Sequence, residues 1–156
     1  MGAYQRVMQR FGHTTAFATV MKRILPHIDR AVSKATGGKH TFGETVLPTF
    51  VLVHKGAKSG KEYRTPLSFL TLENGFALAA SNWGQDHHPG WSFNLDAHPD
   101  VSVVVDGETV PVRARRATPD ERSALWSRFV EMWPAYDTYE TRAAKRAIKV
   151  FVLERR

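Results

Sequence analysis

Residues 46–72, VLPTFVLVHKGAKSGKEYRTPLSFLTL, hold two β-forming runs, Val46–His54 and Tyr63–Leu72, on either side of a turn at Gly56–Lys61. β-Branched and aromatic residues dominate both flanks and glycines punctuate the turn, so the segment reads as two strands of an antiparallel sheet. The turn is strongly cationic: Lys55, Lys58, Lys61 and Arg64 fall within ten residues, against Glu62 alone. Gly56 and Gly60 let the backbone come close to a ligand, and the charge suits a phosphate or a polycarboxylate. An ordinary solvated hairpin would have the same composition. The spacing Gly-x-x-x-x-Gly-Lys-Ser/Thr is absent and no helical pattern follows Lys61, which excludes a Walker loop and a Rossmann fingerprint.

The remaining elements follow in β-rich order. Glu73-Asn74-Gly75 is a hairpin signal leading into a strand at Phe76–Ser81. Pro89–Ala97 reads as a short helix stopped by His98-Pro99. Strands at Val101–Val105 and Glu108–Ala117 flank a second hairpin signal, Asp106-Gly107, and Pro111 places the latter strand at an edge or a bulge. Thr118-Pro119-Asp120-Glu121 combines an N-cap, a first-turn proline and a capping-box acid, and that helix runs to Trp133. A helix at Tyr136–Ala147 and a strand at Ile148–Leu153 complete the chain. About six strands, mostly hairpin-joined, with helices outside, predict an α+β fold built on an antiparallel barrel.

At 156 residues the chain fits one domain of ordinary size. It has no cysteine, which removes disulfides, thiolate nucleophiles and thiolate zinc sites and suits a reducing cytoplasm. No apolar run approaches the roughly 20 residues that span a bilayer. The net charge of +7 is uneven, since residues 1–40 hold seven lysines and arginines against Asp29 alone. That asymmetry argues against a nucleic-acid-binding face and for a basic extension, 1–40, attached to a nearly neutral domain, 41–156. Phe17, Val20, Met21, Ile24, Leu25, Ile28 and Val32 recur at helical spacing, with Pro26 as a kink and Gly37-Gly38 as a hinge. Such a basic amphipathic helix either covers the core of its own domain, the reading favoured here, or lies on the inner face of the plasma membrane.

Several segments together resemble the deazaflavin-dependent nitroreductase family, split β-barrel enzymes that use coenzyme F420. They are Gly56-Ala57-Lys58-Ser59-Gly60, Thr65-Pro66-Leu67, Leu78-Ala79-Ala80-Ser81, His88-Pro89-Gly90-Trp91-Ser92-Phe93-Asn94-Leu95 and Trp133-Pro134-Ala135-Tyr136-Asp137-Thr138-Tyr139. The resemblance implies a split β-barrel and hydride transfer from reduced F420 to a small, electron-poor acceptor such as a quinone or an activated double bond. It gives the cofactor's phosphate and oligoglutamate tail to Lys58, Ser59 and Gly60, with Arg64 standing in for a neighbouring arginine of relatives. Ala57 and Tyr63 depart from the family's arginines. It also implies that Pro66, Leu67, Ala79, Ala80 and Ser81 line the deazaflavin ring, with Asn82 near the tail and Trp91 and Asn94 shaping the site.

By the same resemblance Ser68, Trp133, Tyr136 and Tyr139 border the substrate pocket, and Ser81, Tyr136 and Tyr139 are the catalytic candidates. The spacing of the aromatic row is equally that of core packing. Ser68 and Trp133 stand where the nitroimidazole-reducing member has tyrosines, which argues against nitro-drug reduction. Family habit implies a homodimer. Related split barrels hold FMN, and the cationic turn would accept its phosphate, so an FMN reductase and a non-catalytic F420 or lipid container remain alternatives. His87-His88 invites a metal reading, but adjacent histidines point apart on most backbones and no third ligand stands at convincing spacing, and no nucleophile motif is present.

Overall fold

The computed structural model describes residues 47–156 continuously, together with helical positions 19, 20, 23, 24, 27, 28, 31 and 34. Seven strands form one antiparallel sheet: β1 (Thr49–Lys55), β2 (Glu62–Ser68), β3 (Leu70–Leu72), β4 (Gly75–Ala79), β5 (Asp100–Val105), β6 (Glu108–Arg116) and β7 (Val150–Arg155). Their order is β2-β1-β5-β6-β7-β4-β3. The run Tyr63–Leu72, expected as one strand, is therefore two. β2 pairs with β1 and β3 with β4, at opposite ends of that order, yet Phe69 alone separates them. The two edges meet at this residue, so the sheet must curl into a half-barrel. Phe69 fills the junction, stacking on Phe50 at 4.7 Å and meeting Phe76 edge-on at 5.2 Å.

The curl creates an inside and an outside. Phe50, Leu52, Leu78, Val103, Val112, Phe151 and Leu153 fill the inside. Ala77, Val150 and Val152 face an outer layer under two helices, α2 (Pro119–Met132) and α3 (Ala135–Arg142). β7 thus alternates between two buried faces, which explains its unbroken apolar run, Val150–Leu153. Each fully buried leucine or phenylalanine contributes about 1.5–3 kcal/mol.

Local signals account for the connections. Asp106 and Gly107 adopt φ of 52° and 78°, the paired left-handed values of a two-residue hairpin. At Gly75 a Cβ would lie 1.9 Å from the Leu153 carbonyl oxygen of β7, so only glycine fits. Pro111 pairs with Ser102 of β5 but precedes the β6–β7 ladder, which begins at Val112. β6 is an edge along its first half and an interior strand along its second. α2 starts at a capping box: Thr118 Oγ1 accepts from the Glu121 amide, and Glu121 Oε2 accepts from the Thr118 amide at 2.8 Å.

Two sequence expectations shift. The helix drawn to Ala147 ends at Arg142, and the last strand begins at Val150 rather than Ile148. The intervening chain turns, with the Arg146 amide donating to the Ala143 carbonyl, and delivers the Arg146 side chain to a distant loop. Of the apolar positions expected on the N-terminal helix, Val20 and Ile24 are helical and exposed, whereas Ile28 is helical and half-buried. Phe17, Met21, Leu25, Pro26, Val32 and Gly37-Gly38 lie outside the described residues. Among the described residues no helix is long and apolar enough to cross a membrane.

Candidate functional site

A groove of about 1220 Å³ opens between the β1–β2 turn and the helix α1 (Gly90–Ala97). Lys58, Ser59, Trp91 and Asn94, all expected in the site, line it together with His54, Tyr63, Thr65 and Phe93. Tyr63 and Phe93 are nearly half exposed, at 46% and 49%, so the groove presents two aromatic surfaces to solvent. Trp91 is buried against Phe151, ring centres 5.8 Å apart, and forms the floor where the groove meets the inner core.

The turn is folded by its own backbone and hydroxyl. Gly56 donates to the Lys61 carbonyl at 2.8 Å, Gly60 donates to the Gly56 carbonyl at 2.9 Å, and Lys61 donates to Ser59 Oγ at 3.2 Å. Gly60 takes the left-handed φ of 66°. A Cβ at Gly56 would meet Ser59 Oγ and the Tyr63 ring, so any other residue there would displace the Ser59 hydroxyl that folds the turn. Ala57 donates its amide to Asn94 Oδ1 at 2.8 Å. The amides of Lys58 and Ser59 have no protein acceptor among the described residues, nor has the Lys58 ammonium group. Two successive amides without an acceptor beside a lysine are the kind of donor set that suits an anion. Asp96, the acid on the groove wall, is matched by Arg116 at 2.7 Å and Lys149 at 3.0 Å. The Arg116 hydrogen bond holds its carboxyl below the usual range.

His54 was not singled out from the sequence, yet it stands at the base of this turn, 4% exposed. Its ring stacks near Tyr63 at 5.8 Å, its Nδ1 meets Asn94 Nδ2 at 3.0 Å, and its Nε2 meets Thr65 Oγ1 at 2.9 Å. Burial lowers its pKa below the ordinary 6.5. The alternation along β1 carried the signal: Phe50, Leu52 and His54 share the inward parity, so a polar residue falls on the core face.

The expected ring-binding segment is held differently. Ala80 is fully buried, its amide donating to the Lys149 carbonyl at 2.8 Å. After Ser81 the backbone runs left-handed through Asn82, Trp83 and Gly84, at φ of 47°, 58° and 74°. Such geometry costs about 1–2 kcal/mol per non-glycine residue, so something must hold it. The Arg146 guanidinium does so, donating to the carbonyls of Ala80, Ser81 and Gln85 at 3.1, 2.7 and 2.9 Å and to His88 Nδ1 at 3.0 Å. Asn82 Nδ2 donates to the His87 carbonyl at 2.9 Å. The Ser81 hydroxyl is half-buried and has no protein partner among the described residues.

Trp133, Tyr136 and Tyr139 are buried in the outer layer with Trp126 and Phe129. Tyr136 meets Phe129 at 5.3 Å and Tyr139 at 5.7 Å, and Trp133 Nε1 donates to the Tyr139 hydroxyl at 3.4 Å. Burial pushes both phenols' pKa upward. Trp83 packs edge-on against Tyr139 at 6.0 Å, so the aromatic row supports the left-handed loop. None of the three rings lines the groove. Ser68, at the end of β2 opposite Thr49, does not line it either, nor do Gly60, Arg64, Pro66, Leu67 and Ala79–Asn82.

The family model for F420H(2)-dependent quinone reductase matches residues 22–155. The chain belongs to this family. It is thereby an oxidoreductase that uses coenzyme F420. A Mycobacterium tuberculosis protein whose name places it provisionally among the F420H(2)-dependent quinone reductases is 36% identical over 110 residues, 70% of this chain and 92% of that one. A solved F420-H2 dependent reductase, FDR-A, superposes with a TM-score of 0.63 at 37% identity, covering 69% of this chain and 94% of that one. A further solved chain, described as a domain-swapped dimer, gives 0.65 at 32% identity over 86% and 98% of the two chains.

The residues present fit an F420H2-dependent reductase. Two amides and a lysine at the turn have no protein acceptor among the described residues, and the neighbouring Asp96 is already neutralised, so the turn's donors suit an anion. The groove also has the volume for a ligand of several linked groups. His87 and His88 are engaged by Asp86 at 3.1 Å and by Arg146.

Proposed function

We propose that this chain is an F420H2-dependent quinone reductase whose Gly56–Lys61 turn holds the phosphate and oligoglutamate tail of the cofactor. The observation carrying the reading is the pair of unpartnered amides at Lys58 and Ser59 beside the Lys58 ammonium group, at the mouth of the groove. When bound, the reduced deazaflavin supplies the hydride. Lys58 and the two amides bind the tail, and Asn94 holds the turn in register through Ala57. Ser81 places a hydroxyl with no protein partner among the described residues at the start of the left-handed loop, where it orients a polar ring edge or acceptor oxygen. Tyr136 and Tyr139, kept protonated by burial, act as neutral donors or as supports for that loop. Pro66, Leu67, Ser68 and Trp133 remain proposed walls of the ring and acceptor sites.

The reading is tested by turnover of F420H2 with a soluble quinone beside FMNH2 under identical salt. Oxidation of F420H2 alone supports it; preferential use of FMNH2, or of neither, overturns it. We extend the proposal to a homodimer, supported by the relative described as a domain-swapped dimer. Residues 1–40 are proposed to touch anionic membrane, on their charge and on exposed Val20 and Ile24. Cosedimentation with anionic vesicles that is unchanged on deleting residues 1–40 would remove that part. A cytoplasmic setting accords with the cysteine-free sequence.

A further inference from the structure

The donors and acceptors beneath the turn can be assigned without freedom. The Ala57 amide is a donor, so the atom it meets on Asn94, at 2.8 Å, is the carboxamide oxygen. The nitrogen of that carboxamide therefore faces His54 Nδ1 at 3.0 Å and donates to it. Nδ1 must carry a lone pair, which leaves the imidazole proton on Nε2, donated to Thr65 Oγ1 at 2.9 Å. The sequence Ala57 to Asn94 to His54 to Thr65 thus runs in one direction, and it links the turn, α1, β1 and β2.

We propose that His54 is a positioning residue for the anion-binding turn, acting through Asn94: as the neutral Nε2-protonated tautomer it orients the carboxamide that pins the Ala57 amide, and so presents the adjoining Lys58 and Ser59 amides to the cofactor tail. The inference rests on the proposed seat of the tail at this turn. A second proton on His54 would oppose the Asn94 amino group. Rotating the carboxamide to satisfy it would turn that amino group onto the Ala57 amide instead. No orientation of Asn94 serves both ends once His54 is charged. The rings and polar groups packed on His54 are Tyr63, Thr65 and Asn94. The charged residues adjoining it in sequence or register are Lys55 on β1 and Glu62 and Arg64 on β2, and Lys58 of the turn and Asp96 on α1, which Arg116 and Lys149 engage, line the same groove. Burial opposes protonation in the same direction.

The experiment pairs NMR of the full chain with F420 titrations of wild type, His54→Asn and His54→Leu. Asparagine keeps an acceptor near the Nδ1 position; leucine keeps volume without one. In wild type without ligand, the His54 ring nitrogens should show the Nε2–H tautomer, and the Ala57 amide signal should titrate with the His54 midpoint, below 6.5. A protonated Nδ1 at neutral pH, or an Ala57 amide indifferent to His54, overturns the proposal whatever F420 does. F420 affinity in wild type should fall about three- to tenfold through that midpoint relative to His54→Asn, in proportion to one weakened turn hydrogen bond. Any titration of the ligand is common to both chains. His54→Leu should bind about three- to tenfold more weakly at every pH. Parallel pH profiles for wild type and His54→Asn, or wild-type affinity in a folded His54→Leu chain, contradict it. Should wild type fail to bind F420 at any pH, the seat of the tail is wrong, while the Ala57 amide still decides the role of His54.

Discussion

At the Gly56–Lys61 turn, Lys58 and Ser59 are exposed and two backbone amides are left without acceptors among the described residues. Under α2 and α3, by contrast, Trp133, Tyr136 and Tyr139 are at most 8% exposed and pack against one another. Both regions stood out in the sequence as candidates for the site. The difference between them is that the turn keeps its polar capacity for a ligand, whereas the aromatic layer uses its capacity within the protein. Substitutions at the turn should therefore weaken binding and leave the fold intact, while substitutions in the layer should act first on stability.

The largest effect expected is at Phe129, fully buried where the layer meets Trp126 and Tyr136. Phe129→Ala should lower the unfolding free energy by about 3–5 kcal/mol, read by chemical denaturation; a loss under 1 kcal/mol would mean, roughly, that the layer is not a tight core. Arg146→Ala should cost about 2 kcal/mol, because it strips charge-assisted donors from three carbonyls around the left-handed loop. The same variant should raise KM for F420H2 if the loop borders the ring. Full stability would show that the left-handed segment holds itself.

At the turn, Lys58→Ala should weaken F420 binding by about 1–3 kcal/mol with an unchanged melting temperature. A drop in melting temperature with unchanged affinity would reverse the assignment of the two regions. Tyr139→Phe, which removes only the oxygen that Trp133 Nε1 reaches at 3.4 Å, should cost about 1 kcal/mol or less, read by denaturation. If it instead abolishes turnover while binding persists, Tyr139 belongs to the reaction rather than to the layer.

Much of the half-barrel was legible because its determinants are local. The Asp106-Gly107 hairpin, the Thr118–Glu121 capping box and the helix Gly90–Ala97 each depend on a few neighbouring residues. The break at Phe69 was not legible, since what splits β2 from β3 is pairing with β1 and β4 at opposite ends of the sheet. The end of α3 was missed for a related reason: residues 143–147 are compatible with helix, but tertiary bonds draw Arg146 to the Ser81 loop. At the site, Lys58, Ser59, Trp91 and Asn94 were named through the family resemblance of their segments, and the structure gathers them at one groove. His54 was readable from strand parity alone. Arg146 gave no signal, because a lone arginine shows its carbonyl partners only after folding.

The central claim, that the turn holds the F420 tail, is tested most directly by a fluorescence titration of F420 with wild type and Lys58→Ala, both checked for equal melting temperature. The account predicts saturable binding by wild type, weakened about five- to a hundredfold in Lys58→Ala. Equal affinity of the two chains would contradict it.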